Sequence, residues 1–422
     1  MSSSSRCYRW DWGVVFTTFP RPDYSHLERR DLLSRPAFTL DRLLSGAYTA
    51  DVSRWFSDSE PFRDRFLALS MHIKAAESIA MGEEQIAFHA TPVASAAAPA
   101  EADSVAASSV KQENAIVTSS GVIVLGKAPM ARALMSFSGE EKGAASYARV
   151  INRYADVLGS DVQVYCMPIP TAIEFYCPEQ ARQLSVPERP VLDHLFSTLS
   201  PRVHPVDIYD ALRQHVDEPI FLRTDHHWAP LGAYYAARCF ADTAQVPVPD
   251  LTDFEAHTMP GYVGSMFGYS KDPTVKASPE DFVYYTPQVS YQTHYTVFEI
   301  DEDYQIVGEG VERDGPFFVA QPAGSSNAYS TFMGGDKRIT QVRTEVETKR
   351  RLLVVKDSFG NALPGYLFGS FQEVHVVDFR YFPYAICDYI STHGITDLLF
   401  ANNLAHACSG GATRHYREWL SL

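Results

Sequence analysis

The segment Thr224-Asp225-His226-His227-Trp228 places one carboxylate beside two imidazoles. A serine nucleophile needs a neutral imidazole within hydrogen-bonding reach to accept its proton, and a carboxylate that holds this imidazole in the right tautomer. Asp225 and His227 are two residues apart, so an extended backbone points both side chains to the same side, while His226 points away. The spacing therefore favours His227 as a general base that Asp225 orients.

Asp225, His226 and His227 are also the residue types that bind metals, because zinc and iron sites use histidine and carboxylate ligands. No further strong ligand is adjacent to them in the sequence. The histidines that the fold could bring close to them are His204, His215 and His257. A third reading is that the two adjacent histidines only cap and pack. The residues alone leave a hydrolytic site, a metal site and a structural role open.

Ser358 follows an apolar run at residues 352–355, which is typical of a short strand buried on both faces of a parallel sheet. Lys356 and Asp357 close this strand. Ser358 is therefore expected at the carboxyl edge of the sheet, where open α/β sheets bind their ligands. A serine at a strand-to-helix turn is also a common helix N-cap. Ser358 is thus a candidate nucleophile or a structural cap.

The elements around Ser358 predict a doubly wound α/β sheet, because short apolar runs alternate with helical patterns. The predicted elements are strands at 352–355, 374–377 and 398–401, and helices at 359–367 and 386–393, the last of which Gly394 ends. The carboxyl ends of parallel strands meet at one edge of a sheet. The polar residues expected at that edge are Ser358, Asp378 with Arg380, and Asn402 with Asn403.

A second strand–helix–strand pattern is predicted upstream. Residues 121–126 and 162–168 have strand character, and an amphipathic helix over 147–158 ends before Gly159. This spacing predicts a βαβ unit with parallel strands and a right-handed crossover. Residues 255–350 alternate in a way that is typical of antiparallel hairpins, inserted into the sheet or packed beside it.

The rest of the chain suggests a separate amino-terminal part. Residues 1–90 are expected to form an extension, with a short helix capped by Thr39 and an amphipathic helix around 55–69. Residues 91–115 are rich in alanine, serine and proline, which is typical of a flexible linker. Residues 116–422 then contain the α/β domain with its β-rich insertion.

The composition narrows the classes of partner. With 422 residues, of which 45% are hydrophobic, the chain can bury a large core and form two domains. Lysine and arginine total 36 against 51 aspartates and glutamates, a formal net charge of -15. A surface this acidic repels phosphate backbones, so nucleic acid is not expected as a partner. Neutral or weakly charged substrates fit better.

Membrane spans and cysteine frameworks are not expected either. No apolar run approaches the roughly 18 residues that span a bilayer. The first twenty residues lack a clear signal peptide, because Thr17 and Thr18 interrupt the apolar stretch after Gly13. The six cysteines include no Cys-x-x-Cys pair, which argues against a zinc ribbon or a disulfide scaffold. Cys166 and Cys177 would pair only if their backbones approach each other.

Taken together, these motifs resemble the DHHW protein family, over roughly residues 117–403. The residues that carry the resemblance are Thr224-Asp225-His226-His227-Trp228 with Gly232-Ala233-Tyr234, Met333-Gly334-Gly335-Asp336, Val355-Lys356-Asp357-Ser358-Phe359-Gly360-Asn361, and Val376-Val377-Asp378-Phe379-Arg380-Tyr381. The family is similar to the SGNH-hydrolase-like domain of bacterial alginate O-acetyltransferases, which use an Asp-x-His-Trp segment upstream of a serine. The resemblance implies an SGNH-hydrolase-like α/β fold of the flavodoxin-like, doubly wound type.

The resemblance also implies roles for single residues. Ser358 would be the nucleophile that takes an acetyl group, His227 its general base, and Asp225 the residue that orients the imidazole. The backbone N–H of Ser358 at the helix start would stabilise the oxyanion, and Asn402 would be a second donor. In ordinary SGNH esterases the aspartate and histidine follow the serine and are three residues apart. Here they precede it and are two apart, which favours the acetyltransferase branch.

Two further residues are candidates for substrate binding. Arg380 would bind a substrate carboxylate or pair with Asp378, and Trp228 would stack on a sugar ring or pack in the core. The expected function is acetyl transfer or ester hydrolysis on a carbohydrate or exopolysaccharide, with an acyl donor and no cofactor. By resemblance the protein would act outside the cytoplasm, with membrane-associated export machinery. The alternatives are a non-catalytic carbohydrate-binding or export scaffold, and a metallohydrolase that uses Asp225, His226 and His227.

Overall fold

The computed structural model describes residues 21, 24–25, 30–44, 47–59, 61–62, 86–90, 121–300 and 306–420. The chain divides into two compact units, Met1–Glu83 and Glu84–Leu422. The linker predicted at 91–115 lies outside the described residues, as do Phe66 and Leu69 of the predicted amphipathic helix. No helix of the described part is long and apolar enough to cross a membrane.

The first unit contains two short strands and two helices. They are β1 (Tyr24–Ser25) and β2 (Arg30–Asp31), which pair antiparallel, and α1 (Leu40–Leu44) and α2 (Ala47–Asp58). The hydroxyl of Thr39 accepts a hydrogen bond from the backbone N–H of Arg42 at 3.3 Å. This N-terminal cap confirms the predicted start of the short helix.

The second unit carries the candidate site. Its strands are β3 (Ile86–Ala90), β4 (Gly121–Leu125), β5 (Arg132–Met135), β6 (Gln163–Cys166), β7 (Val203–Pro205), β8 (Phe254–Tyr262), β9 (Glu280–Pro287), β10 (Tyr291–Ile300), β11 (Ile306–Asp314), β12 (Ile339–Thr344), β13 (Arg351–Lys356), β14 (Glu373–Asp378) and β15 (Asp397–Ala401). Its α-helices are α3 (Glu141–Leu158), α4 (Ala172–Tyr176), α5 (Glu188–Thr198), α6 (Tyr209–Gln214), α7 (Pro230–Ala244), α8 (Ser265–Ser270), α9 (Pro273–Lys276), α10 (Ile386–His393), α11 (Leu404–Cys408) and α12 (Gly410–Trp419). Short 3-10 helices span Glu179–Leu184, Leu251–Asp253, Ala328–Thr331, Ser358–Ala362 and Pro364–Leu367.

An eight-stranded mixed sheet forms the centre of this unit, in the order β11-β10-β12-β14-β13-β15-β6-β7. Strands β14, β13, β15, β6 and β7 are parallel, and β10, β11 and β12 add an antiparallel edge. The strands predicted around Ser358 are confirmed, and β13 lies between β14 and β15. Their three carboxyl ends are therefore neighbours, as predicted.

Helices cover both faces of the parallel strands. Tyr165 of β6 pairs in register with Leu399 of β15, so these two side chains point to the same face. The ring of Tyr165 lies 5.1 Å from that of Phe240 in α7. Phe400 is the next residue of β15 and points to the other face, where its ring lies 5.2 Å from Tyr154 of α3. This two-sided covering is the α/β arrangement that the continuous apolar strands predicted.

The upstream βαβ prediction is wrong in its first strand. A strand at Gly121–Leu125 and the helix after it do exist, but β4 pairs antiparallel with β3 and β5 in a separate three-stranded sheet. Its side chains are buried on both faces: Ile123 joins the main core, whereas Val122 and Val124 join a smaller apolar cluster. A strand buried on both faces has the same apolar pattern wherever it lies, which explains the error.

Four other predictions are resolved. The helix predicted at 359–367 is a pair of 3-10 helices, because Pro364 has no N–H with which to continue an α-helix. The insertion does both things that were expected: β8 and β9 form a separate hairpin, and β10 to β12 extend the main sheet. Gly394 ends α10 with a φ of 59°, as predicted. Cys166 and Cys177 are both free thiols, so they do not pair.

Candidate active site

The structure brings Ser358, His227 and Asp225 together. The Nε2 atom of His227 lies 2.8 Å from the Ser358 hydroxyl, and its Nδ1 atom lies 2.6 Å from an Asp225 carboxylate oxygen. Ser358 is the first residue of the turn after β13 and is partly exposed. Because the imidazole joins a hydroxyl to a carboxylate, a proton can move from Ser358 to His227 while Asp225 stabilises the resulting charge.

The local chain before α7 explains why His227 and Asp225 meet. Phe221 and Trp228 form an isolated antiparallel bridge, so the residues between them make a compact turn. Within this turn the Asp225 carboxylate accepts the backbone N–H of His227 at 2.9 Å. A side chain that bonds the backbone two residues later is the usual aspartate turn. The same oxygen therefore fixes both the backbone and the ring of His227.

Asp225 is held as a carboxylate. Its second oxygen accepts hydrogen bonds from the Tyr262 hydroxyl at 2.7 Å and from the backbone N–H of Ser265 at 2.8 Å. Burial alone would raise the pKa of Asp225, but His227, His226 and the backbone N–H of Ser265 hold that pKa well below its usual range. Asp225 is therefore ionised at neutral pH and can keep His227 in the tautomer with hydrogen on Nδ1.

Gly264 allows the chain to approach this carboxylate. A Cβ atom at position 264 would lie 2.4 Å from the side chain of Asp225, which is closer than packed atoms come. A residue larger than glycine would push away the backbone of Ser265, which donates to Asp225. Nothing in the sequence points to Tyr262, Gly264 or Ser265 as site residues, because they belong to the insertion and no local pattern connects them with the histidines.

Aromatic rings fix the plane of the His227 imidazole. Tyr329 stacks on it with a centroid distance of 3.9 Å and an interplanar angle of 5°, and the ring of Phe359 lies 5.0 Å away. The Tyr329 hydroxyl donates to the carbonyl of Phe359 at 2.9 Å. Tyr329 thus connects His227 to Phe359, the residue that follows Ser358.

Of the two roles that the sequence left open for Trp228, the structure has packing in the core, and stacking on a sugar is excluded by its burial. Its side chain is completely buried, and its indole N–H donates to the Phe359 carbonyl at 2.8 Å and to the Tyr329 hydroxyl at 3.1 Å. An indole without solvent-accessible surface has no face to offer to a ligand. The role of Trp228 is to support the turn that carries Ser358.

His226 lies on the other side of His227. The centroids of the two imidazoles are 3.8 Å apart, and Nδ1 of His226 lies 2.6 Å from the Ser265 hydroxyl. Its side chain is 27% exposed, so it faces the surface beside the serine. Burial and the nearby His227 lower the pKa of His226, which keeps this imidazole neutral. The Nδ1 atom of His226 lies 3.7 Å from an Asp225 carboxylate oxygen, which is too far for a hydrogen bond.

The residues that could hold a metal are the same three. The ligand atoms of Asp225, His226 and His227 lie within 4.8 Å of one another. Nδ1 of His227 is already bonded to Asp225, and Nδ1 of His226 to Ser265. The three more distant histidines bond elsewhere in the described part of the chain: His204 to Gln163, His215 to Glu218 and His257 to Thr286. A metal here would have to replace the hydrogen bonds that build the triad.

A second aspartate closes the turn of Ser358. Asp357 accepts the backbone N–H of Phe359 at 2.9 Å, so Asp357 and not Ser358 is the N-cap, and the cap reading of the serine is corrected. Its other oxygen accepts the N–H of Asn403 at 2.8 Å and lies 2.9 Å from Nδ1 of His406. Asp357 therefore connects the end of β13 to the residues after β15.

Asp357 and His406 form an ion pair. Burial would raise the pKa of Asp357, but His406 and the backbone N–H groups lower it. Burial would lower the pKa of His406, but the Asp357 carboxylate raises it. His406 was not predicted as a site residue, because a single histidine in a short helix carries no recognisable pattern. Its only signal is its position just after the predicted strand end.

Arg380 is engaged by carboxylates. It makes two hydrogen bonds to Asp378, at 2.8 and 2.7 Å, and one to Asp336 at 2.6 Å. The completely buried Lys356 lies 2.9 Å from Asp378 and 3.6 Å from Asp336. The sequence left two roles open for Arg380, binding of a substrate carboxylate and pairing with Asp378. The structure has the pairing with Asp378. This network fixes the ends of β13 and β14 beside Ser358. Asp336 of the Met-Gly-Gly-Asp motif belongs to it through its contacts with Arg380 and Lys356.

Asn402 is buried at the end of β15. Its side-chain oxygen accepts hydrogen bonds from the hydroxyls of Tyr147 at 2.7 Å and Tyr416 at 2.6 Å. Its amide nitrogen has no partner in the described part of the chain. Two tyrosines thus fix the orientation of this buried amide at the edge of the sheet.

Comparisons with known proteins agree with this architecture. Residues 95–377 match the model of the family described as DHHW protein. A DHHW family protein from Eubacterium siraeum is 37% identical, with a TM-score of 0.63 over 70% of this chain and 95% of that chain. Bacillus cereus PatB1 is 20% identical, with a TM-score of 0.55 over 69% of this chain and 99% of that chain. This likeness shows a shared SGNH-like fold.

A third solved structure is the O-acetyltransferase domain of Pseudomonas putida AlgJ, which is 13% identical, with a TM-score of 0.41 over 71% of this chain and 99% of that chain. No curated protein matches the sequence. The family model covers more than half of the chain, and it includes Asp225, His227 and Ser358. The chain belongs to the DHHW protein family.

Proposed function

We propose that this protein is a serine acyltransferase or esterase that acts on O-acetyl groups of a carbohydrate or exopolysaccharide. The observation that carries the proposal is the position of His227, which lies 2.8 Å from the Ser358 hydroxyl and 2.6 Å from Asp225. These distances are within the reach that a nucleophile and its base require. The buried, ionised state of Asp225 supports the same assignment.

In the first half-reaction the Ser358 oxygen attacks the carbonyl carbon of an acetyl ester, and its proton passes to Nε2 of His227. The tetrahedral intermediate then expels the alcohol, which takes the proton from His227. The acetyl group remains on Ser358 as an ester. In the second half-reaction His227 removes a proton from a water molecule or a sugar hydroxyl. That oxygen attacks the acetyl carbon, and His227 returns the proton to the departing Ser358 oxygen, which restores the free hydroxyl.

Two donors are proposed for the oxyanion of these intermediates. The backbone N–H of Ser358 is at the first position of a helical turn, where N–H groups have no partner within the helix. The amide nitrogen of Asn402 is buried and unpartnered among the described residues. A buried donor without a partner costs about 1–3 kcal/mol, so the fold keeps it at some expense. Because this amide has no exposed surface, its contact with an oxyanion would require a local rearrangement at the end of β15.

The choice of an acetylated carbohydrate rests on the order of the motif. The aspartate and histidine precede the serine and are two residues apart, as in the acetyltransferases that the sequence resembles. An acyl donor is then the second substrate. The steps above use only side chains and backbone of this chain, so the proposal includes no cofactor. The resemblance also suggests action outside the cytoplasm and contact with membrane-associated export machinery.

The test is the release of acetate from ethyl acetate by the purified full chain, beside Ser358→Ala. We expect Ser358→Ala to lower kcat by about a thousandfold or more, because triad members act as a unit. Thermal unfolding of both proteins shows whether the variant is folded. Treatment with a sulfonyl fluoride should place one sulfonyl group on Ser358, with loss of fluoride, and peptide mass mapping locates it.

Other outcomes identify the rival functions. Activity that survives in Ser358→Ala would contradict a serine nucleophile. Activity that disappears on dialysis against a chelator and returns with one equivalent of zinc would favour the metallohydrolase reading of Asp225, His226 and His227. A folded protein that neither hydrolyses esters nor transfers acetyl to sugars, but binds them, would be the non-catalytic scaffold.

A further inference from the structure

An exposed aromatic ring lies beside the triad. Tyr269 of α8 is 48% exposed, more than the other tyrosines recorded as exposed in the described part of the second unit. Its ring centroid lies 6.0 Å from that of His226, at an interplanar angle of 84°. The His226 ring in turn lies 3.8 Å from the ring of His227, which contacts Ser358. A continuous series of rings therefore leads from the nucleophile to the surface.

Helix α8 fixes the position of Tyr269 relative to the triad. The backbone N–H of Ser265 donates to Asp225 at 2.8 Å, and the Ser265 hydroxyl lies 2.6 Å from Nδ1 of His226. Tyr269 is four residues after Ser265, so both side chains lie on the same face of the helix. The hydrogen bonds of Ser265 thus fix the start of the helix that carries Tyr269.

His226 adds a polar group to this surface. The Ser265 hydroxyl also accepts the backbone N–H of His226 at 3.3 Å. The Nδ1 atom of His226 is bonded to Ser265, so the Nε2 atom is either a donor or an acceptor, depending on the tautomer. This Nε2 atom has no partner in the described part of the chain. The side chain is 27% exposed, so Nε2 is available as a donor or an acceptor for a ligand hydroxyl.

A pyranose ring fits this pair of groups. It presents C–H groups on its face and hydroxyls on its edge, and an aromatic side chain offers a large apolar surface at low entropy cost. The formal net charge of -15 favours a neutral sugar over an anionic one. Trp228 was the aromatic residue that the sequence suggested for this purpose, but it is completely buried.

We propose that Tyr269 and His226 form the subsite that binds a neutral sugar ring next to Ser358, with stacking on Tyr269 and a hydroxyl hydrogen-bonded to His226. The inference rests on the proposed function, and it specifies the substrate class of the same site. Tyr269 acts on specificity and not on bond breaking. Its loss should therefore change the binding of oligosaccharides far more than the hydrolysis of a small aliphatic ester.

The first experiment measures binding without catalysis. The Ser358→Ala full chain is titrated calorimetrically with cellohexaose, mannohexaose and chitohexaose. We expect at least one hexaose to bind, and Tyr269→Ala in the same background to weaken its Kd about three- to tenfold, the range for one lost aromatic contact. Tyr269→Trp should restore binding, because it keeps an aromatic face. Thermal unfolding shows whether each variant is folded.

A matched control comes from a tyrosine of similar exposure elsewhere. Tyr384 is 39% exposed, and its ring contacts are with Phe298 and Phe382 and not with the triad. Tyr384→Ala should leave the Kd for the hexaose unchanged. If no hexaose binds at millimolar concentration, or if Tyr269→Ala binds as tightly as its parent, the subsite is refuted.

The second experiment separates this inference from the proposed function. With the catalytically intact chain and the O-acetylated form of the best hexaose, Tyr269→Ala should raise KM about three- to tenfold and change kcat less. Its effect on kcat/KM for ethyl acetate should be much smaller. An equal loss on both esters would assign Tyr269 to the support of the triad. Failure of the serine mechanism would give a different result, because ester hydrolysis would then persist in Ser358→Ala.

Discussion

Two histidine–aspartate pairs reach the turn of Ser358, and they come from different parts of the chain. Asp225 and His227 precede the serine by about 130 residues in the chain, whereas Asp357 is its direct neighbour and His406 follows. Both pairs are bonded through Nδ1, at 2.6 Å in the first and 2.9 Å in the second. The difference lies in what the remaining atoms of each pair contact.

In the first pair the histidine connects two reactive groups. The Nε2 atom of His227 contacts the Ser358 hydroxyl, and the side chain is only 9% exposed. Tyr329 stacks on its ring and holds its plane. An imidazole that is bonded at both nitrogens, to a carboxylate and to a hydroxyl, is placed for proton transfer. The surrounding hydrogen bonds serve to keep Asp225 ionised.

In the second pair the aspartate is the connecting residue. Asp357 is completely buried and accepts N–H groups from Phe359 and Asn403 in addition to His406. The His406 side chain is 38% exposed, and its ring packs 5.8 Å from Phe379. This pair fixes the backbone on which Ser358 lies. The proposed base and this backbone clamp thus use the same two residue types, and they differ in whether the second ring nitrogen of the histidine contacts Ser358.

The largest expected effect is a difference in turnover between variants of the two histidines, His227 and His406. His227→Ala should lower kcat for ethyl acetate by about 10³- to 10⁴-fold, because the general base is lost. His406→Ala should lower it by less than about tenfold, because the serine loses only support for its turn. Steady-state kinetics of the two variants at one pH measure the difference. A greater loss in His406→Ala would exchange the roles of the two histidines.

The second effect concerns stability and its dependence on pH. The pKa of the Asp357 carboxyl is lowered, and the pKa of the His406 imidazole is raised from its ordinary value of 6.5. Both groups are therefore charged at a pH that lies between their two pKa values in the folded protein. A raised histidine pKa gives stability that is fully present below the ordinary value and is lost as the pH rises through the folded value. His406→Ala should therefore reduce the free energy of unfolding by about 1–2 kcal/mol near about pH 6, and by less near about pH 9.

Urea denaturation at the two pH values measures this change. His415→Ala is the matched control, because the His415 ring packs 5.9 Å from the same Phe379 and its side chain has a similar exposure of 36%. We expect a smaller loss in this control, without the same dependence on pH. An equal loss at both pH values in His406→Ala would mean that its packing, and not its charge, holds the turn.

The sequence predicted the parts of the site that are local. Continuous apolar runs identified the parallel strands, and the position of Ser358 after one of them placed it at the ligand-binding edge. The separation of two residues between Asp225 and His227 indicated which histidine faces the carboxylate, and the structure has this arrangement. In both cases a short stretch of backbone determines the geometry, so a short stretch of sequence is sufficient.

The parts that were missed depend on distant contacts. Tyr262, Ser265 and Tyr329 approach the triad from the insertion, and nothing in their own neighbourhoods indicates it. Strand β4 was assigned to the wrong sheet because burial on both faces does not identify the partner strands. Trp228 has an aromatic side chain of the type that stacks on sugars, but Phe359 and Tyr329, which are distant in the sequence, surround it and bury it.

The smallest expected effect sharpens the comparison within the first pair. His226 is adjacent to His227 and their rings lie 3.8 Å apart, but its Nδ1 contacts Ser265 instead of Asp225. We therefore expect His226→Ala to lower kcat for ethyl acetate by less than about tenfold, far less than His227→Ala, because no proton of the reaction passes through it. The same steady-state assay decides the matter. If His226→Ala were the more damaging substitution, the base would be His226, and the extended-chain argument from spacing would have chosen the wrong face.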